Sequence, residues 1–219
     1  MRGTTLSKSA TRPGTPRRAT AGFSMVELVV SICVMLVLTA LAIPSLIRSM
    51  RSYQLNTAAA SVSDMLKFTR FEAVRRNTQI NLQFTQNGPT WLVWTDSFGA
   101  GNGGPINSRD KQQVIAGYPT LLPSGVAPTP SAISASLGGA ALNASLSGAN
   151  GSVTFDARGA IRQGIGGAVS NSVYVFYIGN ANDSDSGYRA VVLLPSGSTQ
   201  IWTGTTTPSP PNPAWLRVD

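Results

Sequence analysis

The chain has 219 residues, enough for one domain of ordinary size plus a membrane segment. It holds 17 basic and 9 acidic residues, no histidine and one cysteine. The commonest general base and metal ligand are therefore missing, and the lone Cys33 excludes an intrachain disulfide.

The charge excess is uneven. Residues 1–22 contain Arg2, Lys8, Arg12, Arg17 and Arg18 and no acid. Residues 48–76 hold six basic side chains against Asp64 and Glu72. From Asn77 onward six basic and six acidic residues balance. The C-terminal region is neutral, so the high isoelectric point is no sign that it binds nucleic acid.

In chain order, 1–22 is a basic leader rich in Ser, Thr, Pro and Gly, expected to be disordered and to stay cytoplasmic. Residues 23–47 are apolar except for Ser24, Glu27, Ser31, Thr39 and Ser45, long enough to span a bilayer as a helix. A secretory signal has a shorter apolar core followed by its cleavage site; here the cut is expected before the run, after Gly22. Pro44 lies late in the run and is expected to bend the helix, because helical spacing resumes beyond it. Leu55, Ala58, Val62, Met65, Leu66, Thr69 and Ala73 recur at intervals of three and four, predicting an amphipathic helix over 48–77. Glu72 precedes Arg75 and Arg76 at ion-pair spacing, and Asn77 is the expected stop. A helix over 23–76 would be about 80 Å long.

The period then changes to two. Ile80, Leu82 and Phe84 alternate with polar residues as in a strand, Asn87-Gly88-Pro89 is a turn, and 91–95 returns. A Gly/Asn-rich loop is expected at 98–110 and a short strand at 113–116. Residues 123–151 carry no charge and no aromatic ring; they read as a long surface loop with a weak strand around 140–146. Strand patterns resume at 153–155, with a turn at Asp156-Ala157-Arg158-Gly159. At 172–178 both faces are apolar, predicting a strand buried on both sides. Residues 188–194 and 199–203, joined by Pro195-Ser196-Gly197-Ser198, predict a hairpin. The tail 205–219 is proline-rich and expected to be extended and mobile. These elements predict an α+β fold, a long N-terminal helix packed on an antiparallel β-sandwich over 78–204.

Gly22-Phe23-Ser24-Met25-Val26-Glu27-Leu28, behind a basic leader and ahead of an apolar run, closely resembles the prepilin cleavage motif of type IV pilins and pseudopilins. Residues 91–96, 153–159 and 188–201 are similar to the tryptophan-containing strand, the Thr-Phe-Asp-x-x-Gly turn and the closing hairpin of the GspH/FimT subgroup. The resemblance implies cleavage by a prepilin peptidase between Gly22 and Phe23, N-methylation of Phe23, subunit pairing through Glu27 and a helix bend at Pro44. It implies an inner-membrane protein with a periplasmic globular domain and no cofactor, a minor subunit of a type IV pilus. Two alternatives belong to the same resemblance: an H-type pseudopilin of a type II secretion system, and a FimT-like DNA-binding minor pilin. The basic Gly-Arg-x-Arg motif of the latter is matched here by Gly197-Ser198-Thr199-Gln200, without either arginine, so DNA is not an expected partner.

Glycine at position 22 leaves the scissile backbone open to close approach. An unpaired carboxylate at Glu27 costs on the order of 2.5–3.5 kcal/mol in a membrane helix, which pairing with the Phe23 amine of a neighbouring subunit would offset. Asp183 and Asp185 vaguely resemble a calcium loop but lack its later acidic ligand, so a solvated turn is expected. Arg158, Arg162 and Arg189 are expected as scattered, solvated side chains. Enzymatic activity is not expected. An uncleaved membrane protein with a sandwich domain is the remaining rival, and it predicts retention of residues 1–22.

Overall fold

The computed structural model describes residues 22–97, 110–122, 131–144, 146–180, 182–183, 186–204 and 215–218. The expectations for the leader, for the loop at 98–109, for 123–130 and for the proline-rich 205–214 lie outside these residues. The chain divides into two compact units, Met1–Pro44 and Ser45–Asp219.

Helix α1 (Met25–Arg76) is 52 residues long and continues through Pro44. In the first unit its described residues are exposed, with Met25, Val26 and Leu41 each more than two-thirds accessible. It is long and apolar enough to cross a membrane. In the second unit the stripe read from the sequence is buried: Leu55, Ala58, Val62, Met65, Leu66, Thr69 and Ala73 all face the core. The helix ends at the expected residue. Asn77 takes φ 50°, Thr78 N–H donates to Ala73 O at 3.1 Å, and Asn77 N–H donates to Val74 O at 3.2 Å. That pair of bonds closes a left-handed cap, which asparagine tolerates better than most residues.

One sheet has the order β3-β2-β1-β7-β6, with β8 also on β7. Its strands are β1 (Ile80–Asn87), β2 (Thr90–Asp96), β3 (Gln112–Ile115), β6 (Leu146–Ser147), β7 (Asn150–Phe155) and β8 (Ile161–Arg162). The β1–β2 turn is Gly88-Pro89, with Asn87 opposite Thr90. Gly88 has φ 61°, the positive value a two-residue hairpin demands at its first position. Ile80, Leu82 and Phe84 face inward as the alternation predicts.

The second sheet has the order β12-β11-β10-β9, with β4 and β5 both pairing with β9. Its strands are β4 (Thr120–Leu122), β5 (Leu142–Ala144), β9 (Val173–Gly179), β10 (Tyr188–Leu193), β11 (Thr199–Gly204) and β12 (Trp215–Val218). All pairings in both sheets are antiparallel except β5 with β9.

The main core joins α1 to the inner faces of both sheets, with Phe84 of β1 and Phe176 of β9 4.8 Å apart between ring centroids. The second sheet is buried on its other face as well. Val173, Val175, Tyr177, Ala190, Val192 and Trp202 pack there with Trp215 and with Ile133 of helix α2 (Ser131–Ser136). The strand predicted to be buried on both sides is so.

Two readings need correction. The stretch 123–151 has the strand expected around 140–146, as β5 and β6, but it is otherwise not one long loop: it also contains α2 and the start of β7, and Ile133 is fully buried. The region 205–219 is not a loose tail throughout, because Trp215–Val218 pairs with β11 and Trp215 is buried against Tyr177. An apolar second face on β9 and β10 needs covering, and these two segments cover it.

Candidate assembly site

Gly22, Phe23 and Ser24 precede α1 without helical structure, and Phe23 is exposed. Leu28 N–H donates to Ser24 O at 3.1 Å, placing Ser24 at the helix cap. Glu27 lies three residues on, in the first turn. Ser24-Met25-Val26-Glu27 thus has the spacing of a capping box, a signal the sequence reading passed over. A carboxylate in the first turn is favoured by the helix dipole.

The other polar side chains of the apolar run are treated differently. Ser31 Oγ donates to Glu27 O and Thr39 Oγ1 donates to Met35 O, both at 2.7 Å. Back-bonding of this kind hides a hydroxyl within its own helix. The Glu27 carboxylate has no partner among the described residues. Gly22, Phe23 and Glu27 therefore stand within about one helical turn, while Pro44 lies farther along α1.

The second unit grips α1 at three levels. Arg51 donates to Asp183 Oδ2 and lies 5.2 Å from the centroid of the Tyr118 ring, and Tyr118 O–H donates to the same carboxylate oxygen at 3.0 Å. Burial is the main cause that raises the Tyr118 pKa. One turn on, Arg189 of β10 donates through Nε to Asn56 Oδ1 at 2.6 Å and through Nη2 to Ser52 Oγ at 3.0 Å. Burial lowers its pKa from the usual arginine value. Nearer the end of α1, Arg70 Nε donates to Gly159 O at 3.2 Å. A Cβ on Gly159 would stand 2.8 Å from that nitrogen, and one on Gly197 2.6 Å from it. The 156–159 turn and the 195–198 turn, far apart in sequence, thus close on one arginine.

These contacts revise the expectations for the charged residues. Arg189 is buried and not solvated. Arg162 pairs with Asp156 at 3.2 Å and donates to Gly167 O at 2.8 Å. Asp183 is held by Arg51 and Tyr118 and is not a solvated turn residue; Asp185 lies outside the described residues. No cluster of three His, Cys, Asp or Glu side chains able to hold a metal occurs among the described residues. The Glu72 pairing read from spacing is present, at 2.7 Å to both Arg75 and Arg76. None of the three grips on α1 had a sequence signal, because each joins residues roughly ninety or more positions apart.

The family described as type II transport protein GspH matches residues 58–197. This chain belongs to the GspH family. The match runs from the buried stripe of α1 through the β10–β11 turn and stops short of the segment 22–57. Two crystal structures of the type IV minor pilin FimU of Pseudomonas aeruginosa PAO1 also align with it, each at 19% identity. One covers 73% of this chain and 95% of FimU with a TM-score of 0.44. The other covers 67% and 91% with a TM-score of 0.42. No curated protein matches the chain significantly. As a GspH-family member it joins that domain to one N-terminal helix apolar enough to cross a membrane.

Proposed function

We propose that this protein is a minor subunit of a type IV pilus, made as a precursor, cut by a prepilin peptidase between Gly22 and Phe23 and N-methylated on Phe23. One observation carries the reading. Glu27 is the only acidic or basic side chain among residues 23–47, it has no partner among the described residues, and a GspH-family domain follows it. Removing residues 1–22 would take away five basic charges and create an amine about one turn from that carboxylate. Across a subunit boundary the amine of one chain and Glu27 of the next would neutralise each other in lipid. That pairing would also set the stagger between neighbouring helices. Pro44 would bend α1 by deleting a backbone hydrogen bond. The leader stays cytoplasmic, the globular domain periplasmic, and the helix waits in the inner membrane until incorporation. The role is structural and needs no cofactor.

Intact-mass measurement of membrane-extracted protein tests the processing. A chain starting at methylated Phe23 supports it, and retention of residues 1–22 refutes it. Glu27→Ala tests the pairing: processing is expected to continue while filament incorporation falls, and normal incorporation would sink the idea. The description of the matching family supports a second reading, the H-type pseudopilin of a type II secretion system. A deletion strain separates them, since the pilus subunit predicts loss of surface filaments and the pseudopilin predicts loss of exported proteins from the medium.

A further inference from the structure

Strand β12 closes the second sheet at an edge. Among the described residues it pairs with β11 alone, and Trp215 is its one buried side chain, while Leu216, Arg217 and Val218 are exposed. The socket for Trp215 is built by other strands. Gly204 of β11 stands opposite it, and a Cβ there would lie 2.9 Å from the indole ring, so the glycine clears the space that the ring fills. Tyr177 of β9 is 6.0 Å away between ring centroids, and Ala190 of β10 and Trp202 of β11 belong to the same buried cluster. Every copy of the chain carries this socket and this strand.

The connection between them works against closure within one chain. Residues 205–214 join β11 to β12, and four of these ten are prolines, Pro208, Pro210, Pro211 and Pro213. Proline fixes its own φ and drives the residue before it out of the helical region. That favours polyproline II, in which ten residues at about 3.1 Å each span about 31 Å. Pairing Gly204 with Trp215 in the same chain instead requires the two ends to stand about 5 Å apart, the spacing of neighbouring strands.

We infer that β11 of one copy accepts Trp215–Val218 of a second copy, so that neighbouring subunits exchange this strand. The strand makes the same ladder and fills the same socket whether it comes from its own chain or from another. The contacts therefore cancel in the comparison, and the stiffness of the connection decides for reach over closure. Exchange ties the globular units of adjacent subunits together without Phe23 or Glu27, and so goes beyond the pilus reading.

Thr203 and Leu216 lie directly opposite each other in the ladder. Such residues have Cα atoms about 4.5–5.5 Å apart, within reach of a disulfide. Neither side chain is buried, so both positions tolerate cysteine. The test co-expresses two full-length chains of distinguishable mass, both Cys33→Ser, one with Thr203→Cys and the other with Leu216→Cys. After detergent extraction and mild oxidation, intact mass counts the heterodimer, which in these chains forms only between copies. A heterodimer is expected. Changing the four prolines to glycine in both chains relaxes the connection, and should return β12 to its own chain and cut the heterodimer severalfold. No heterodimer from chains that melt like the parent overturns the inference. Equal linkage when Val114→Cys, exposed on the other sheet, replaces Leu216→Cys would mark chance collision and overturn it too. An undiminished heterodimer with the glycine connection also counts against it, because the prolines would then not be what drives the exchange. The same masses report separately whether residues 1–22 have been removed, so failure of the exchange and failure of the processing are told apart.

Discussion

Arg70 shows how single residues tie this fold together. Its guanidinium lies under two turns that sequence reading identified separately, 156–159 and 195–198, and each turn has a glycine with positive φ facing it. At Gly159 the nearest atoms to an added Cβ are all side-chain atoms, of Arg70 and Val74. Gly159→Ala should therefore cost about 1–2 kcal/mol for the left-handed backbone plus a clash term. In an Arg70→Ala background the clash with Arg70 is gone and the same substitution should cost less. Urea denaturation of the four proteins in this cycle measures the coupling, and strict additivity would show that Arg70 is not what excludes a side chain. Two carboxylates give the domain an acid limit. The Arg75 hydrogen bond, helped by Arg76, holds Glu72 below its ordinary pKa despite burial. At Asp156 burial pushes upward, but the N–H groups of Ala160 and Arg158 and the Arg162 guanidinium outweigh it and lower the pKa. Both groups are more acidic folded than unfolded. The stability they contribute is present above the unfolded value of about 4 and is lost as pH falls below it. The melting temperature should drop through that range, and Asp156→Asn should flatten the drop; equal slopes in the two proteins would count against Asp156 as a source.

At the scale of elements, the second sheet depends on pieces that bring little regular structure of their own. Helix α2 has six residues, too few to be stable alone. It is held by Ile133, fully buried on the face of the sheet opposite α1. Ile133→Ala should destabilise the domain by about 2–4 kcal/mol, as for other buried large-to-small changes. Trp215→Ala should cost about as much, because the ring packs on Tyr177 and close to Gly204. A chemical-denaturation midpoint unchanged by either substitution would mean that the outer layer is dispensable. These are also the elements that the sequence concealed. The stripe of α1 and the alternation in β1 were legible because each has one buried and one polar face over a full period. The two-sided burial of β9 was legible because Val173, Val175 and Tyr177 alternate with Tyr174, Phe176 and Ile178, leaving neither face polar. The segment Ser131–Ser136 has one large apolar residue among serines and alanines, which fixes no period. β4 is three residues long, too short to show a period, and β12 is four residues long beyond a run of prolines, so composition argued against a strand there. In the candidate assembly site, Gly22, Phe23 and Glu27 could be proposed from sequence because they stand within five residues of one another. The Arg51, Arg70 and Arg189 contacts were not, since each is made by folding alone.

For the whole molecule, the division at Pro44 separates two kinds of surface. The first buried apolar side chain of α1 is Leu55, and residues 22–50 are exposed throughout. The core draws all its members from the second unit. An exposed apolar surface of this extent is compatible with lipid or with other helices, and not with water. The segment Ser45–Asp219 should therefore fold without the segment before it. Expressed alone, it should be soluble without detergent and show one cooperative thermal transition with intact β-sheet circular dichroism, while the chain from Phe23 onward should require detergent. Both should melt within a few degrees of each other, because every described member of the core lies in Ser45–Asp219. A fragment that is unfolded, or whose transition lies far below that of the detergent-solubilised chain, would show that the apolar half of α1 also stabilises the globular unit. Equal melts would instead show that the apolar half of α1 contributes nothing to the stability of the globular unit.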